Sequence, residues 1–257
     1  MSEQAHVEEI EPIYGPGEIG LEQWDDMPDD YKWMVRRLVG GQLTGEMAAC
    51  ETFGRCLQFL DRPEHYTHLS MTAMEEGNHV RILGELAPKI GIDFERLFAK
   101  RRPLATWFLG GADEVTSWTE ACVFKWLIDR AGNMWLWSMR DSSFAPYRHT
   151  MGRIMADEER HQDDGAKYVL VEIAAGRKDA VQAHVDCWFP RAIQLLGRPQ
   201  SEGNRLAARY GLKHADSSVE MRNYLDQIMP TVREGGLSLP SPAALRAQGI
   251  EIADVTW

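Results

Sequence analysis

Met74-Glu75-Glu76-Gly77-Asn78-His79 and Asp157-Glu158-Glu159-Arg160-His161 decide how this chain reads. Each stretch contains Glu-x-x-His, as Glu76/His79 and Glu158/His161. Residues three apart share one face of a helix, so each motif aims a carboxylate and an imidazole at the same point. A single pair of this kind reads as a solvated helix face. Two pairs, each set in an apolar stripe and each level with another inward acid, read as metal ligands.

The stripes run outward from these motifs. A first helix, capped by Asp29 or Asp30 and running to about Leu60, carries Val35, Val39, Gln42, Glu46, Cys50, Phe53, Leu57 and Leu60 in steps of three and four. Glu46 stands where a solvent-facing acid does not belong. Asp61-Arg62-Pro63 ends that helix and starts a second, to about Ala87, whose stripe is Tyr66, Leu69, Ala73, Glu76, Val80, Leu83 and Ala87. A crossover over 89–115 follows, broken by Arg101-Arg102-Pro103 and Gly110-Gly111, with short helices expected inside it. Helix three is predicted over about 116–139 (Trp118, Cys122, Trp126, Asp129, Gly132, Leu136). Helix four starts near Pro146, with Tyr147, Met151, Ile154, Glu158, His161, Gly165 and Tyr168 on one face. Further amphipathic helices are expected at about 178–196 and 217–234. No β alternation of any length occurs. Two helix pairs joined by a long crossover predict an all-α, four-helix bundle over 29–236 with additional C-terminal helices. An irregular arm over 1–28, suited to wrapping a neighbour, and an extended tail over 237–257 flank it.

Helix heights select the fourth carboxylate. Glu46 lies 16 residues before the turn near residue 62 and Glu76 lies 14 after it. At about 1.5 Å rise per residue the two are nearly level. Asp129 lies 14 before the turn near 143 and Glu158 lies 15 after it. Glu120, the other acid on helix three, is roughly 13 Å below Asp129 and on the opposite face. The predicted metal set is therefore Glu46, Glu76, His79, Asp129, Glu158 and His161, with the four carboxylates as the catalytic groups. Glu76 and Glu158 are the natural bridges, Glu46 and Asp129 the terminal ligands, and each metal has one His. Carboxylates plus imidazoles with open positions suit two iron ions, and manganese fits the same donors. Six such groups without metal predict a partly protonated or wet site. Glu75, Asp157 and Glu159 read as surface groups or as partners that orient a ligating His. His65 and His68 read as solvated, and the Trp residues of helix three (Trp118, Trp126, Trp135, Trp137) as core or interface.

Bulk properties bound the rest. The formal charge of −11 argues against nucleic acid bound through a broad basic face. Four cysteines without Cys-x-x-Cys spacing read as buried thiols of a reducing compartment. No signal-peptide pattern and no long apolar run appear, so the expected location is cytoplasmic, with no membrane partner.

With these residues placed, the chain resembles the catalytic subunit of the phenylacetyl-CoA epoxidase family, ferritin-like di-iron oxygenases, over roughly residues 24–242. The resemblance rests on Met27-Pro-Asp-Asp-Tyr31, the Gly-Gln-x-x-x-Glu around Glu46, Glu-Glu-Gly-Asn-His, Ser117-Trp118, Trp126-Leu-Ile-Asp129, Glu158-Glu-Arg-His161-Gln, Trp188-Phe189-Pro190, Pro230-Thr-Val and Leu-Ser-Leu-Pro240. It implies an O2-dependent monooxygenase in which a reduced iron pair, fed by a separate reductase component, places one oxygen atom on an aromatic or olefinic acyl group. The family's substrate is a CoA thioester such as phenylacetyl-CoA. Its catalytic subunit pairs with a second ferritin-like subunit that lacks metal; a homo-oligomer is the alternative here. Arg37 matches a position associated with CoA, and Arg101 and Arg102 are either further candidates for phosphates or a solvated basic loop. Gly41 and Ser217 do not carry the family's Gln and Asn. The family places a Lys one turn before the helix-two Glu, where this chain has Thr72, which makes Thr72 a candidate substrate contact and predicts a different pocket polarity.

Three rivals stand beside this reading. A non-catalytic structural subunit of the same fold is expected to lose ligands, and all six are present. A ferroxidase or iron-handling protein is expected to be shorter, without the crossover and extra helices. A radical generator resembling the ribonucleotide reductase small subunit needs a Tyr where this chain has Leu83.

Overall fold

Helix α1 (Asp29–Cys56) and helix α2 (Pro63–Leu86) form the first antiparallel pair, packed along their length. They belong to a computed structural model that describes residues 10–60, 62–101, 115–255 and 257. Pro63 opens α2, where its missing N–H and fixed φ cost nothing. Neither Asp29 nor Asp30 caps α1: Pro28 holds the cap position without a side-chain bond, the helix begins at Asp29, and Asp30 accepts a hydrogen bond from the Tyr210 hydroxyl at 2.6 Å. The crossover contains a 3-10 turn (Ala87–Ile90) and a short helix α3 (Phe94–Ala99), as expected. Its Arg102-Pro103 and Gly110-Gly111 breaks, and Arg102 as a phosphate contact, lie outside the described residues.

The second pair sets helix three against α6 (Ala145–Ala174). Helix three is not uniform. It runs as α4 (Trp118–Phe124), one π-helical turn (Lys125–Asp129) and α5 (Arg130–Met139) without a break. A π turn widens a helix by one residue and is frequent at functional sites; here it ends on Asp129. Ser117 caps α4 by accepting the Glu120 N–H at 3.1 Å. Gly165 on α6 allows the π turn to come close. A Cβ there would stand 2.6 Å from the Trp126 nitrogen and 2.9 Å from its Cα.

Helices α7 (Lys178–Leu195) and α9 (Ser217–Gly235) fall where the pattern placed them. Two short helices were not expected from the sequence: α8 (Glu202–Arg209) and α10 (Pro242–Ala247). The second corrects the expectation of an extended tail. Ser241 caps α10, and Leu245 and Ile250 bury themselves in the core, so apolar burial sets the tail's path. The N-terminal arm is corrected as well. From Ile13 onward it docks on its own chain, with Ile13 N–H on Arg209 O (2.8 Å) and Ile19 N–H on Ser143 O (2.9 Å). Tyr14 packs between Tyr31 and Tyr210. Among the described residues no strand forms, and no helix is long and apolar enough to cross a membrane.

The apolar core falls into two clusters. One holds Phe53, Leu69, Val123 and Val169; the other holds Val39, Leu43, Leu83, Leu136 and Ile154. On α1, α2 and α6 the acidic residue sits between residues of the two clusters; on helix three Asp129 is flanked by Ile128 and Ala131 of the first cluster, which gives way to the second between Met134 and Leu136. A polar layer therefore crosses the middle of the bundle, at the level the helix-height argument selects.

Candidate metal centre

Each bundle helix delivers one carboxylate to this layer: Glu46 from α1, Glu76 from α2, Asp129 from the π turn and Glu158 from α6. His79 and His161 join from the next turn of α2 and α6. None of the six is more than 7% exposed. Donor atoms of Glu46, Glu76, His79 and Glu158 lie within 4.8 Å of one another, as do those of Glu76, Asp129 and His161. All six residues chosen from the sequence are thus brought together. Glu120 is not: it accepts from the Trp188 indole at 3.1 Å and from Thr116.

The two carboxylates nearest the centre divide their oxygens between the imidazoles. Glu76 places Oε2 3.6 Å from His79 Nδ1 and Oε1 3.2 Å from His161 Nδ1. Glu158 places Oε1 3.3 Å from His79 Nδ1 and Oε2 3.9 Å from His161 Nδ1. Glu46 reaches only His79, at 3.1 Å. Asp129 belongs to the His161 side, and its Oδ2 is buried without a hydrogen-bond partner. An orphaned carboxylate oxygen in a buried cluster is costly unless a cation completes it. The residues present fit a pair of metal ions.

Both rings turn Nδ1 inward because acids hold Nε2. Asp157, on α6, lies 3.2 Å from Nε2 of His79 on α2; Glu75, on α2, lies 2.8 Å from Nε2 of His161 on α6. Arg160 Nη2 donates to both acids, at 2.6 Å to Glu75 and 2.9 Å to Asp157. Such outer carboxylates fix the tautomer and orientation of a ligating imidazole. Glu159 faces solvent.

Electrostatics match a metal-free site that shares protons internally. Burial pushes Glu46 up to about 8, only partly opposed by His79. Burial also raises Asp129 and Glu158, with the Glu76 charge adding to it. Burial acts the same way on Glu76, but hydrogen bonds from His161 and His79 outweigh it and hold this acid at about 2. Burial opposes charge on the imidazoles and loses: Glu158, Glu46 and Glu76 raise His79, and Glu76 and Glu158 raise His161 to about 9.

Two residues escaped the sequence reading, Gln42 and Lys125, and two were misread, His65 and His68. Gln42 donates to Glu46 Oε1 at 2.9 Å and accepts from the Tyr147 hydroxyl at 2.7 Å, so a buried chain from α6 orients the Glu46 carboxylate. Its signal was present, since Gln42 interrupts the α1 stripe one turn before Glu46. Lys125 opens the π turn with its side chain buried, and Nζ donates to Thr72 Oγ1 at 2.8 Å. Thr72 therefore does not leave the spot without charge: helix three supplies an ammonium. His65 and His68 are not solvated. His65 stacks on Trp118 at 4.0 Å, and His68 Nε2 lies 3.1 Å from Lys125 Nζ. Trp126 is core, as expected.

A cavity opens beside the carboxylates, with an empty volume of about 590 Å³ including its mouth. Gly41, Gly45 and Ala49 line it from α1, Gly132, Trp135 and Leu136 from α5, and Leu195 from α7. A Cβ at Gly45 or Gly132 would meet nothing within 4 Å, so missing side chains leave this space. Arg37 is on the outer surface over Trp33, one turn before Gly41. Thr72 is not among the residues that line the cavity. Arg101 pairs with Glu51 and lies over the Phe98 ring, and Ser217 is buried against Asn204.

The sequence model of the phenylacetic acid catabolic protein family matches residues 64–251. The chain belongs to that family. The matched span holds five of the six clustered side chains; Glu46 precedes it. No curated protein matches the chain. Among solved structures, this member of the phenylacetic acid catabolic family is similar to a Synechococcus protein with aldehyde deformylating oxidase activity, at 17% identity and TM-score 0.63, over 86% of this chain and 96% of that one. It is also similar to a point variant of an R2-like ligand-binding oxidase with an aerobically reconstituted Mn/Fe cofactor, at 14% identity and TM-score 0.64, over 88% of each chain. At these identities the likeness establishes the fold, a ferritin-like bundle.

Proposed function

We propose that this chain is the catalytic subunit of an O2-dependent monooxygenase whose site holds two iron ions, with manganese accommodated by the same donors. The observation that carries the reading is the division of Glu76 and Glu158 between two imidazoles that both present Nδ1. Glu46 and His79 would complete one metal position, Asp129 and His161 the other. Held by these residues, an iron pair would supply the reducing power that activates O2. The protein's own residues do the rest. Asp157 and Glu75 hold the imidazoles in place, Gln42 holds Glu46, and the two apolar core clusters above and below keep bulk water from the layer.

The cavity supports an organic substrate. Its wall is largely glycine and apolar side chains, which favours an apolar acyl or aromatic group over a hydrated metal ion, and so favours the oxygenase over an iron-handling role. Phenylacetyl-CoA, or another acyl-CoA, is the proposed substrate class. Its acyl end would enter between Gly45 and Gly132, and Arg37 would meet the CoA portion outside. Electrons would come from a reductase component, and a second ferritin-like subunit or a second copy of this chain would complete the assembly.

Metal content and single-turnover O2 reaction of the reduced protein, with and without phenylacetyl-CoA, test this. Two irons per chain and substrate-dependent formation of an oxygenated thioester are expected. Two irons with O2 uptake and no oxygenated thioester would remove phenylacetyl-CoA from the reading. No metal after iron reconstitution would overturn the catalytic assignment and favour a structural subunit.

A further inference from the structure

The cavity beside the carboxylates is a slot that runs along the helices. On α1 its wall extends from Gly41 to Ala49, about 12 Å of helix, and on helix three from Phe124 to Leu136, about 18 Å. The carboxylates open into the side of this slot and not into its end. Glu46 stands between Gly41 and Ala49, and Asp129 between Phe124 and Leu136. The two helices run antiparallel here: Phe53, beyond Glu46 on α1, meets the ring of Phe124, which precedes Asp129, at 5.8 Å. Ala49, one turn before Phe53, and Phe124 therefore mark the same end. Counting helical rise, that end lies roughly 4–8 Å past the carboxylates. The other end leads past Gly41 toward the exposed Arg37.

Phe124 is built to stop whatever enters. A π turn is closed by i→i+5 bonds, which bring residues five apart toward one side. The turn Lys125–Asp129 thus puts Phe124 and Asp129 on one wall of the slot. The Phe124 ring is fully buried and held from two directions. Phe53 meets it edge-on, and Trp188 of α7 packs perpendicular to it at 4.9 Å. Trp188 is fixed in turn, its indole N–H donating to Glu120 Oε1 at 3.1 Å. Such aromatic pairs hold a ring more firmly than area burial alone.

We propose that Phe124 is a specificity-determining residue: the far end of the acyl group rests against its ring, and the distance from ring to carboxylates selects which substrate carbon lies beside Glu46 and Asp129. The proposal rests on the reading of this cavity as the acyl site. An acyl group too short to reach Phe124 forgoes apolar contact. One too long is pushed back, and its thioester is displaced toward Gly41. Affinity therefore passes through an optimum in acyl length.

The test is calorimetric binding of benzoyl-, phenylacetyl-, 3-phenylpropanoyl- and 4-phenylbutanoyl-CoA to the full chain, kept metal-free so that nothing turns over. Wild type is compared with Phe124→Leu and Ala49→Leu. Each methylene added before the ring reaches Phe124 should tighten binding about fourfold, and the next one should weaken it. Phe124→Leu, which recesses the stop, should move the optimum to a longer acyl group. Ala49→Leu, which fills the same end from α1, should move it to a shorter one. A loss of packing alone would weaken all four thioesters and leave the optimum in place. The same optimum in all three proteins overturns the stop and leaves the acyl-CoA reading standing. Should Phe124→Leu fail to fold, Ala49→Leu decides, and an unmoved optimum there overturns the stop. Wild type that binds none of the four overturns the acyl-CoA reading and the stop with it.

Discussion

Asp157 Oδ2 lies 3.2 Å from His79 Nε2, and the acid and the imidazole come from different helices. The mirror contact, Glu75 to His161, runs the opposite way between the same two helices at 2.8 Å. Each Glu-x-x-His motif thus orients the imidazole of the other. Asp157→Asn and Glu75→Gln are each expected to weaken metal binding by about 10- to 100-fold while the fold is kept, because the outer partner sets ring orientation and basicity. Competition titration with a chelator measures it; unchanged affinity in both would remove these acids from the site.

Glu76 and Glu46 should differ in what they cost. Glu76 faces both imidazoles, so Glu76→Ala is expected to abolish loading of both metals, as is His161→Ala. Glu46 faces His79 alone, so Glu46→Ala should lower the count toward one. Elemental analysis of the purified variants, with circular dichroism to confirm helix content, checks this. Two metals retained in Glu76→Ala would refute the ligand assignment.

Gly165 sets the distance between α6 and the π turn. A Cβ placed there meets backbone, which cannot swing aside. Gly165→Ala is therefore expected to destabilise the protein by about 1–3 kcal/mol, overriding the helix-propensity gain of alanine, and to loosen metal binding by displacing Asp129. Denaturant unfolding of the metal-free and metal-loaded forms measures both effects.

Gly132 lines the cavity and faces open space, so size alone should matter there. Gly132→Ala is expected to raise stability by up to about 1 kcal/mol. Gly132→Leu should fill the space beside the carboxylates, raising KM or abolishing turnover while two metals remain bound. Equal turnover in Gly132→Leu would show that substrate does not use this cavity.

The metal-free protein should lose stability as pH rises. His161 is raised to about 9 in the folded chain, against about 6.5 when unfolded. Between those values the folded state holds a proton that the unfolded state has released, so the contribution is complete below 6.5 and fades through about 9. Metal replaces that proton, so the loaded protein should not show this loss. Unfolding midpoints at pH 6, 7.5 and 9, with and without Mn(II), report the difference.

Much of the fold and cluster was legible in the sequence because both depend on helical period. A buried acid in an apolar stripe announces itself at Glu46, Glu76 and Glu158, and counting rise from the turns separates Asp129 from Glu120. The π turn was not legible, since its apolar pattern is that of an α-helix and its geometry depends on how closely Gly165 approaches. His68 was misread because a polar residue near a helix start looks solvated until its neighbour is known, and Lys125 was missed because its partners, Thr72 and His68, come from another helix.

By itself the sequence determined the bundle, the level of the polar layer and the six side chains that line it. Local periodicity and chain length between turns suffice for these, as neither requires knowing which residue faces which across the core. Only the tertiary structure decided the crossed His79–Asp157 and His161–Glu75 contacts, the docking of the N-terminal arm on its own chain, the cavity left by Gly45 and Gly132, and the meeting of Lys125 with Thr72. Each of these joins residues far apart in sequence through helix packing and rotamer choice, which a one-dimensional pattern does not encode.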